Sequence, residues 1–209
     1  MDVIGGIAYV ADWHMGLQVA NVVNPAGAFI IGSYDTPGAA GAVVVSGSLA
    51  YVADAWNGLQ IIDVSNAASP VLAGSVDTPG SATAVAVSGN RCYLADSDEG
   101  VAVVDVSDSA VPVVVDQAWT PHSAQSVMIS GNRIFVGASW GGMVIYGACG
   151  SGDMDCDEQL TLLDVDGMVQ ALLYGTSFPG CQLHNGDLNG DTAVNGLDLQ
   201  LFTDVLLGS

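Results

Sequence analysis

The sequence contains no lysine, and Arg91 and Arg133 are its only strongly basic residues. Against them stand 22 acidic residues, for a formal net charge of -20. A chain this short of cations has little with which to neutralise phosphates, which excludes ordinary nucleic-acid binding. It is equally ill suited to an anionic membrane surface. It favours cations, although carboxylates also serve simply to keep a hydrophobic chain soluble. Long apolar runs are missing too. The uncharged stretch Thr36–Ala53 is interrupted by Pro37 and several glycines, and part of it recurs 42 residues later. It therefore reads as strands and turns, and no membrane span is expected. The opening MDVIGG lacks the basic and apolar segments of a leader peptide. Because it begins inside a repeat, the expectation is a longer parent protein, extracellular or on the cell surface, with its signal peptide upstream.

What the 209 residues do contain is a hydrophobic half and 27 glycines, enough for one large domain or two small ones. They also contain a period. Tyr9, Tyr51, Tyr93 and Phe135 lie 42 residues apart, as do Asp12, Asp54 and Asp96. Gly16, Gly58, Gly100 and Gly142 keep the same spacing, and so do Pro37, Pro79 and Pro121. Each unit carries four short runs rich in Val, Ile and Tyr, in the second unit about Ala42–Val45, Leu49–Ala53, Leu59–Val64 and Val71–Val76. The runs barely alternate polar with apolar, so sheets covered on both faces are expected. Four strands in about 40 residues is the pattern of a β-propeller blade.

The segments YVADAWNGLQIIDVS and YLADSDEGVAVVDVS resemble the LVIVD repeat of bacterial surface β-propellers over residues 1–147. Asn21 replaces the aspartate found at Asp63 and Asp105, and Ala138 replaces the loop aspartate of the fourth unit. The first unit reads as lacking most of its first strand and the fourth as lacking its last, which leaves about three and a half blades. The expected fold class is mainly β, a partial or small β-propeller of four-stranded blades, followed by a small α-helical module. An isolated arc of blades would expose faces and edges and is expected to self-associate.

After Gly147 the composition changes. A short linker, 148–152, leads to two twelve-residue loops whose first residues, Asp153 and Asp187, are 34 apart. Calcium takes six to eight oxygens, and an EF-type loop supplies them from positions 1, 3, 5, 7, 9 and 12. The first loop offers Asp153, Asp155, Asp157, the Gln159 carbonyl, Thr161 through water, and Asp164. The second offers Asp187, Asn189, Asp191, the Ala193 carbonyl, Asn195 and Asp198. Helical periodicity follows each, over Val165–Tyr174 and Leu199–Leu207. The competing reading is a pair of Asx-rich turns capping two helices.

With no helix before either loop and Asp at position 12, residues 153–209 resemble a type I dockerin. That resemblance implies two bound Ca2+ ions and a cohesin-like partner domain. Position 6, usually Gly, is Glu158 and Thr192, and a Thr held at positive φ would be strained. Positions 10 and 11, which such domains often use to recognise cohesin, are Leu162 and Leu163, then Gly196 and Leu197.

Other residues carry weaker chemistry. Cys92 aligns with Ala8, Ala50 and Ile134 on an inward strand and reads as a small buried hydrophobe. Cys149, Cys156 and Cys181 flank the calcium loops. One disulfide is expected among them in an extracellular protein, with Cys156–Cys181 favoured, although sequence does not fix pairing. A zinc site competes poorly, since no CxxC pair is present. GASWG at Gly137–Gly141 matches a nucleophile elbow, but that motif needs a helix after it and a strand is expected instead, so Ser139 is not assigned a catalytic role. His14, His122 and His184 occupy unrelated positions, and Asp96, Asp98 and Glu99 read as a solvated turn rather than a weak cation site.

No paired carboxylates at glycosidase-like positions occur within the repeats. The leading expectation is therefore a non-enzymatic extracellular scaffold, with the dockerin-like tail anchoring the propeller. The rivals are an accessory or catalytic component of a polysaccharide-degrading assembly, and a purely structural surface protein. A polysaccharide or a cell-surface protein is the further partner considered.

Overall fold

The structure is a computed structural model, and it describes residues 1–131 and 133–147. The chain divides into two compact units, Met1–Ile129 with Phe135–Val144, and Ser130–Ile134 with Ile145–Ser209. In the second unit the description reaches only the strand ends near residues 130–134 and 145–147. The expected calcium loops and their helices lie outside the described residues.

Fifteen strands form four antiparallel meanders among the described residues. The first sheet runs β1 (Asp2–Ile4), β2 (Ile7–Ala11), β3 (Leu17–Asn21) and β4 (Phe29–Tyr34), in that order. The second has β5 (Ala42–Ser46), β6 (Leu49–Ala53), β7 (Leu59–Asp63) and β8 (Val71–Val76). The third has β9 (Ala84–Ser88), β10 (Arg91–Ala95), β11 (Val101–Asp105) and β12 (Val113–Ala118). The fourth is three-stranded among the described residues: β13 (Ala124–Ser130), β14 (Arg133–Ala138) and β15 (Gly142–Gly147). The four apolar runs of the second unit end within one residue of these strands. The first unit differs from expectation, because Asp2–Ile4 does pair with Tyr9–Ile7 and completes a four-stranded sheet.

Burial explains the weak alternation. One core joins Tyr9, Leu17 and Val19 of the first sheet to Val43, Ala50, Val52 and Ile62 of the second. Another joins Tyr51, Leu59 and Ile61 on the second sheet's other face to Val85, Cys92, Leu94 and Val104 of the third. A central strand such as β6 or β7 thus needs apolar residues in both directions, and each fully buried Leu or Ile contributes about 1.5–3 kcal/mol. The outermost strands are more exposed, and Val71, Leu72, Val113 and Val115 stay partly in water. A register shift between residues 19 and 20 recurs between 61 and 62 and between 103 and 104. The same β-bulge therefore twists each outer strand away from its inner neighbour.

The aspartates that close the third strands have a local task. Asp63 Oδ1 accepts the Ser65 amide at 2.8 Å, and Asp105 Oδ1 accepts the Ser107 amide at 2.8 Å. Asn21 Oδ1 does the same for the Val23 amide at 3.1 Å. An Asx turn needs only a side-chain carbonyl oxygen, so Asn21 performs the task of the aspartate it replaces. Among the described residues no helix is long and apolar enough to cross a membrane.

Candidate functional site

In an antiparallel meander the loop between the second and third strands and the link to the next sheet share one end of the sheet. That rim gathers the residues the sequence singled out. Its loops are Asp12–Gly16, Asp54–Gly58, Asp96–Gly100 and the 3-10 turn Ser139–Gly141. The turns place Trp13, Ala55 and Ser97 at φ of 46°, 49° and 52°. Non-glycine residues avoid this left-handed region because Cβ crowds the backbone. Each of these three residues forms a bridge to the following link: Trp13 to Ala40, Ala55 to Ala82 and Ser97 to Ala124.

A second weld explains the periodic Asp, Thr-Pro and Gly. The Thr36 hydroxyl donates to Asp54 Oδ1 at 2.6 Å, and the Gly38 amide donates to Asp54 Oδ2 at 2.8 Å. One repeat later the Thr78 hydroxyl donates to Asp96 Oδ1 at 2.7 Å and the Gly80 amide to Asp96 Oδ2 at 2.9 Å. Both aspartates are fully buried. Burial pushes the Asp54 carboxyl above its ordinary range, the bonds from Thr36 and Gly38 pull it partly back, and the nearby Asp35 carboxylate pushes it up again. Glycine is required at 38 because a Cβ there would lie 2.3 Å from the Asp54 carbonyl oxygen. Asp96 is therefore a structural latch rather than a member of an acidic loop open to cations.

At the third link the pattern breaks. Ala138 occupies the latch position and His122 replaces the glycine. With no carboxylate facing it, the Thr120 hydroxyl donates to the His122 carbonyl at 2.6 Å, and the Ser139 amide donates to the Ser123 carbonyl at 3.0 Å. The His122 ring lies against Gly141, where a Cβ would come within 2.8 Å of His122 Cδ2. A cleft of about 450 Å³ lies at this link, lined by Trp119 and Trp140 with Asp98, His122, Ser123 and Ser139. A second cleft of about 480 Å³, at the link between the first two sheets, is lined by Asp35, Thr36, Asn57, Gln60 and Asp77 and holds no aromatic side chain but Tyr34.

Ser139 starts the 3-10 turn between β14 and β15, so a strand follows it and the nucleophile-elbow geometry is absent there. His14 lies beside Trp13, ring centroids 6.5 Å apart. Among the described residues no group of three or more His, Cys, Asp or Glu side chains is placed to hold a metal ion. Asp153, Asp155, Asp157, Gln159, Thr161, Asp164, Asp187, Asn189, Asp191, Ala193, Asn195 and Asp198 lie outside the described residues, as do His184 and Cys149, Cys156 and Cys181. Sequence reasoning missed the aromatic cleft. The signal was present: Trp13, Trp56, Trp119 and Trp140, every tryptophan in the chain, fall at rim positions.

Sheets of this kind, welded at one rim and repeated every 42 residues, define a propeller-like repeat protein. The LVIVD repeat matches residues 1–36, 37–78, 79–120 and 121–146, and the chain belongs to the LVIVD repeat family. No curated protein sequence matches the chain. Among solved structures it is similar to the computationally designed Ika8 protein, with a TM-score of 0.56 and 14% identity over 70% of this chain. It spans 44% of the length of that protein. It is also similar to the computationally designed Ika4 protein, with a TM-score of 0.58 and 11% identity over 69% of this chain and 87% of that one. At such identities the likeness is one of fold alone.

Proposed function

We propose that this chain is an extracellular, calcium-binding interaction module. Its repeats present the tryptophan-bearing rim, and a type I dockerin-like segment over residues 153–209 binds two Ca2+ ions and anchors the protein to a cohesin-type partner. The observation that carries this reading is the doubled loop: two twelve-residue sets of oxygen ligands, beginning at Asp153 and Asp187, each followed by an apolar helical period. Without calcium, Asp153, Asp155, Asp157 and Asp164 would repel one another within one loop, so ion binding and folding of the segment are coupled. Calorimetric titration should give two calcium sites per chain, and chelator should remove helical circular dichroism while leaving the β signal. A chain that binds no calcium would overturn the reading.

The second reading is an accessory component of a polysaccharide-degrading assembly. Exposed tryptophans on one rim favour it, since such rings are a common means of holding sugar. Hydrolysis of a soluble polysaccharide by the full chain would move it from accessory to catalytic component. Capture by a cohesin domain, lost on adding chelator, supports the anchoring common to both readings.

A further inference from the structure

The third link between sheets departs from the first two at positions that surround one cleft. Position 119 is Trp where the preceding links carry Asp35 and Asp77, and position 122 is His where they carry Gly38 and Gly80. Ala138 stands in place of the latch aspartate, and Trp140 keeps the tryptophan found at Trp56, where the third repeat has Asp98. In a repeat array the consensus serves the shared packing, so departures gathered in loops on one face point to binding. Here they replace a structural latch with a tryptophan and a histidine, set beside Trp140.

The two rings are far from buried. Trp119 is 71% exposed and Trp140 is 94% exposed. Rings of this size left in water are unusual for a packing role, and tryptophan dominates the energetics of recognition surfaces. The rest of the lining is polar and of mixed character. The Asp98 carboxylate only accepts, while the Ser139 and Ser123 hydroxyls both donate and accept. Ser123 Oγ already accepts from Gln125 Nε2 at 2.9 Å, which leaves its proton for a ligand. His122 is held against Gly141 with its ring at the edge of the cleft.

We propose that this cleft binds a neutral glycan. A pyranose has an apolar C–H face that stacks on an indole and a periphery of hydroxyls that both donate and accept, and the lining offers complements to each. The volume, about 450 Å³, lies within the range of ligand pockets and exceeds what a small alkylammonium group would fill. The hydroxyl protons of Ser123 and Ser139 offer donors that a sugar uses and a cation cannot. An anionic glycan is disfavoured by a chain of net charge -20. The site is independent of the calcium reading and uses none of its residues.

The test is titration of the full chain with cellohexaose, xylohexaose and mannohexaose, read by tryptophan fluorescence and calorimetry, with and without chelator. The expected result is saturable binding of at least one neutral hexaose that persists in chelator. Trp140→Ala should weaken it at least tenfold. That side chain is almost wholly in water, so the variant should keep the wild-type circular dichroism. Trp119→Ala should weaken it similarly, whereas Trp56→Ala, outside the cleft, should leave it unchanged. No binding of any of the three sugars at millimolar concentration would overturn the proposal, as would binding that survives Trp140→Ala. Saturable, salt-sensitive quenching by tetramethylammonium without any sugar response would overturn it in favour of a cation cage. Loss of calcium binding with sugar binding intact would sink the calcium reading and leave this one standing.

Discussion

The first two links between sheets and the third one are built from the same 42-residue template and reach opposite solutions. Where Thr36-Pro37-Gly38 and Thr78-Pro79-Gly80 meet Asp54 and Asp96, a buried carboxylate takes two donors from the preceding link. Where Thr120-Pro121-His122 meets Ala138, the carboxylate is gone and the threonine hydroxyl turns to its own link. A buried charge is costly unless its hydrogen bonds are made, so each latch persists only as a complete set of Asp, Thr and Gly. Removing one member is expensive. Losing the Asp and the Gly together, with the threonine re-bonded, permits a different use of the same space.

The largest expected effect follows from breaking a complete latch. Asp54→Ala would strand the buried Thr36 hydroxyl and the Gly38 amide, each without its acceptor. Hydrogen bonds to a charged group contribute about 1.5–3 kcal/mol, and unsatisfied partners add a desolvation cost. A loss of about 2–4 kcal/mol is expected in urea denaturation, and Asp96→Ala should match it. Asp54→Asn, which can accept from only one of the two donors, should cost about half as much. Equal stability of Asp54→Ala and wild type would mean that the latch does not hold the sheets together.

A smaller effect is expected from building a latch where none exists. Ala138→Asp alone places a carboxylate in a buried site whose facing residue is His122, and it should destabilise. His122→Gly alone removes the ring that packs on Gly141 and should also cost stability. Together they recreate the Asp54 arrangement, with Thr120 and the residue 122 amide as donors. The double-mutant cycle should show favourable coupling of about 1–2 kcal/mol, the scale for residues sharing one hydrogen-bond set. Additive changes would show that the loss of Asp and the gain of His were unrelated.

Much of the fold is legible in the sequence because packing imposes the period on the residues themselves. Leu59 and Ile61 face one neighbouring sheet while Ile62 faces the other, so the runs have to be apolar throughout. Cys92, expected as an inward hydrophobe, is fully buried, and burial pushes its thiol pKa up. It should resist iodoacetamide in the native state and react on unfolding. The strand β1 is hard to see in the sequence because three residues hold too little pattern to show periodicity. The latch is visible as a recurring spacing within the chain but not as chemistry, since Asp54 and Thr36 lie 18 residues apart and meet only across two sheets. The cleft is hidden for the complementary reason, because Trp119 and His122 are departures from the period, and a search for repetition passes over them.

The smallest effect compares two aspartates of opposite behaviour. Asp54 is buried and its folded-state pKa is raised, so the folded chain binds its proton more tightly than the unfolded chain does. Its contribution to stability is most favourable below the ordinary carboxylate value and declines as pH rises through the raised pKa. Asp105 is partly exposed and its carboxyl is lowered to about 2, by hydrogen bonds from Ser107 first and by Arg91 after that. Its contribution is present above the ordinary value and is lost as pH falls towards about 2. Stability measured against pH for wild type minus Asp54→Asn should therefore fall with rising pH, and for wild type minus Asp105→Asn it should rise. Arg91 pairs with Asp105 at the surface, where water screens the charges, so Arg91→Ala should leave stability at neutral pH essentially unchanged. If the two difference curves sloped the same way, hydrogen-bonded burial would not be what separates the latch aspartates from those that close the strands.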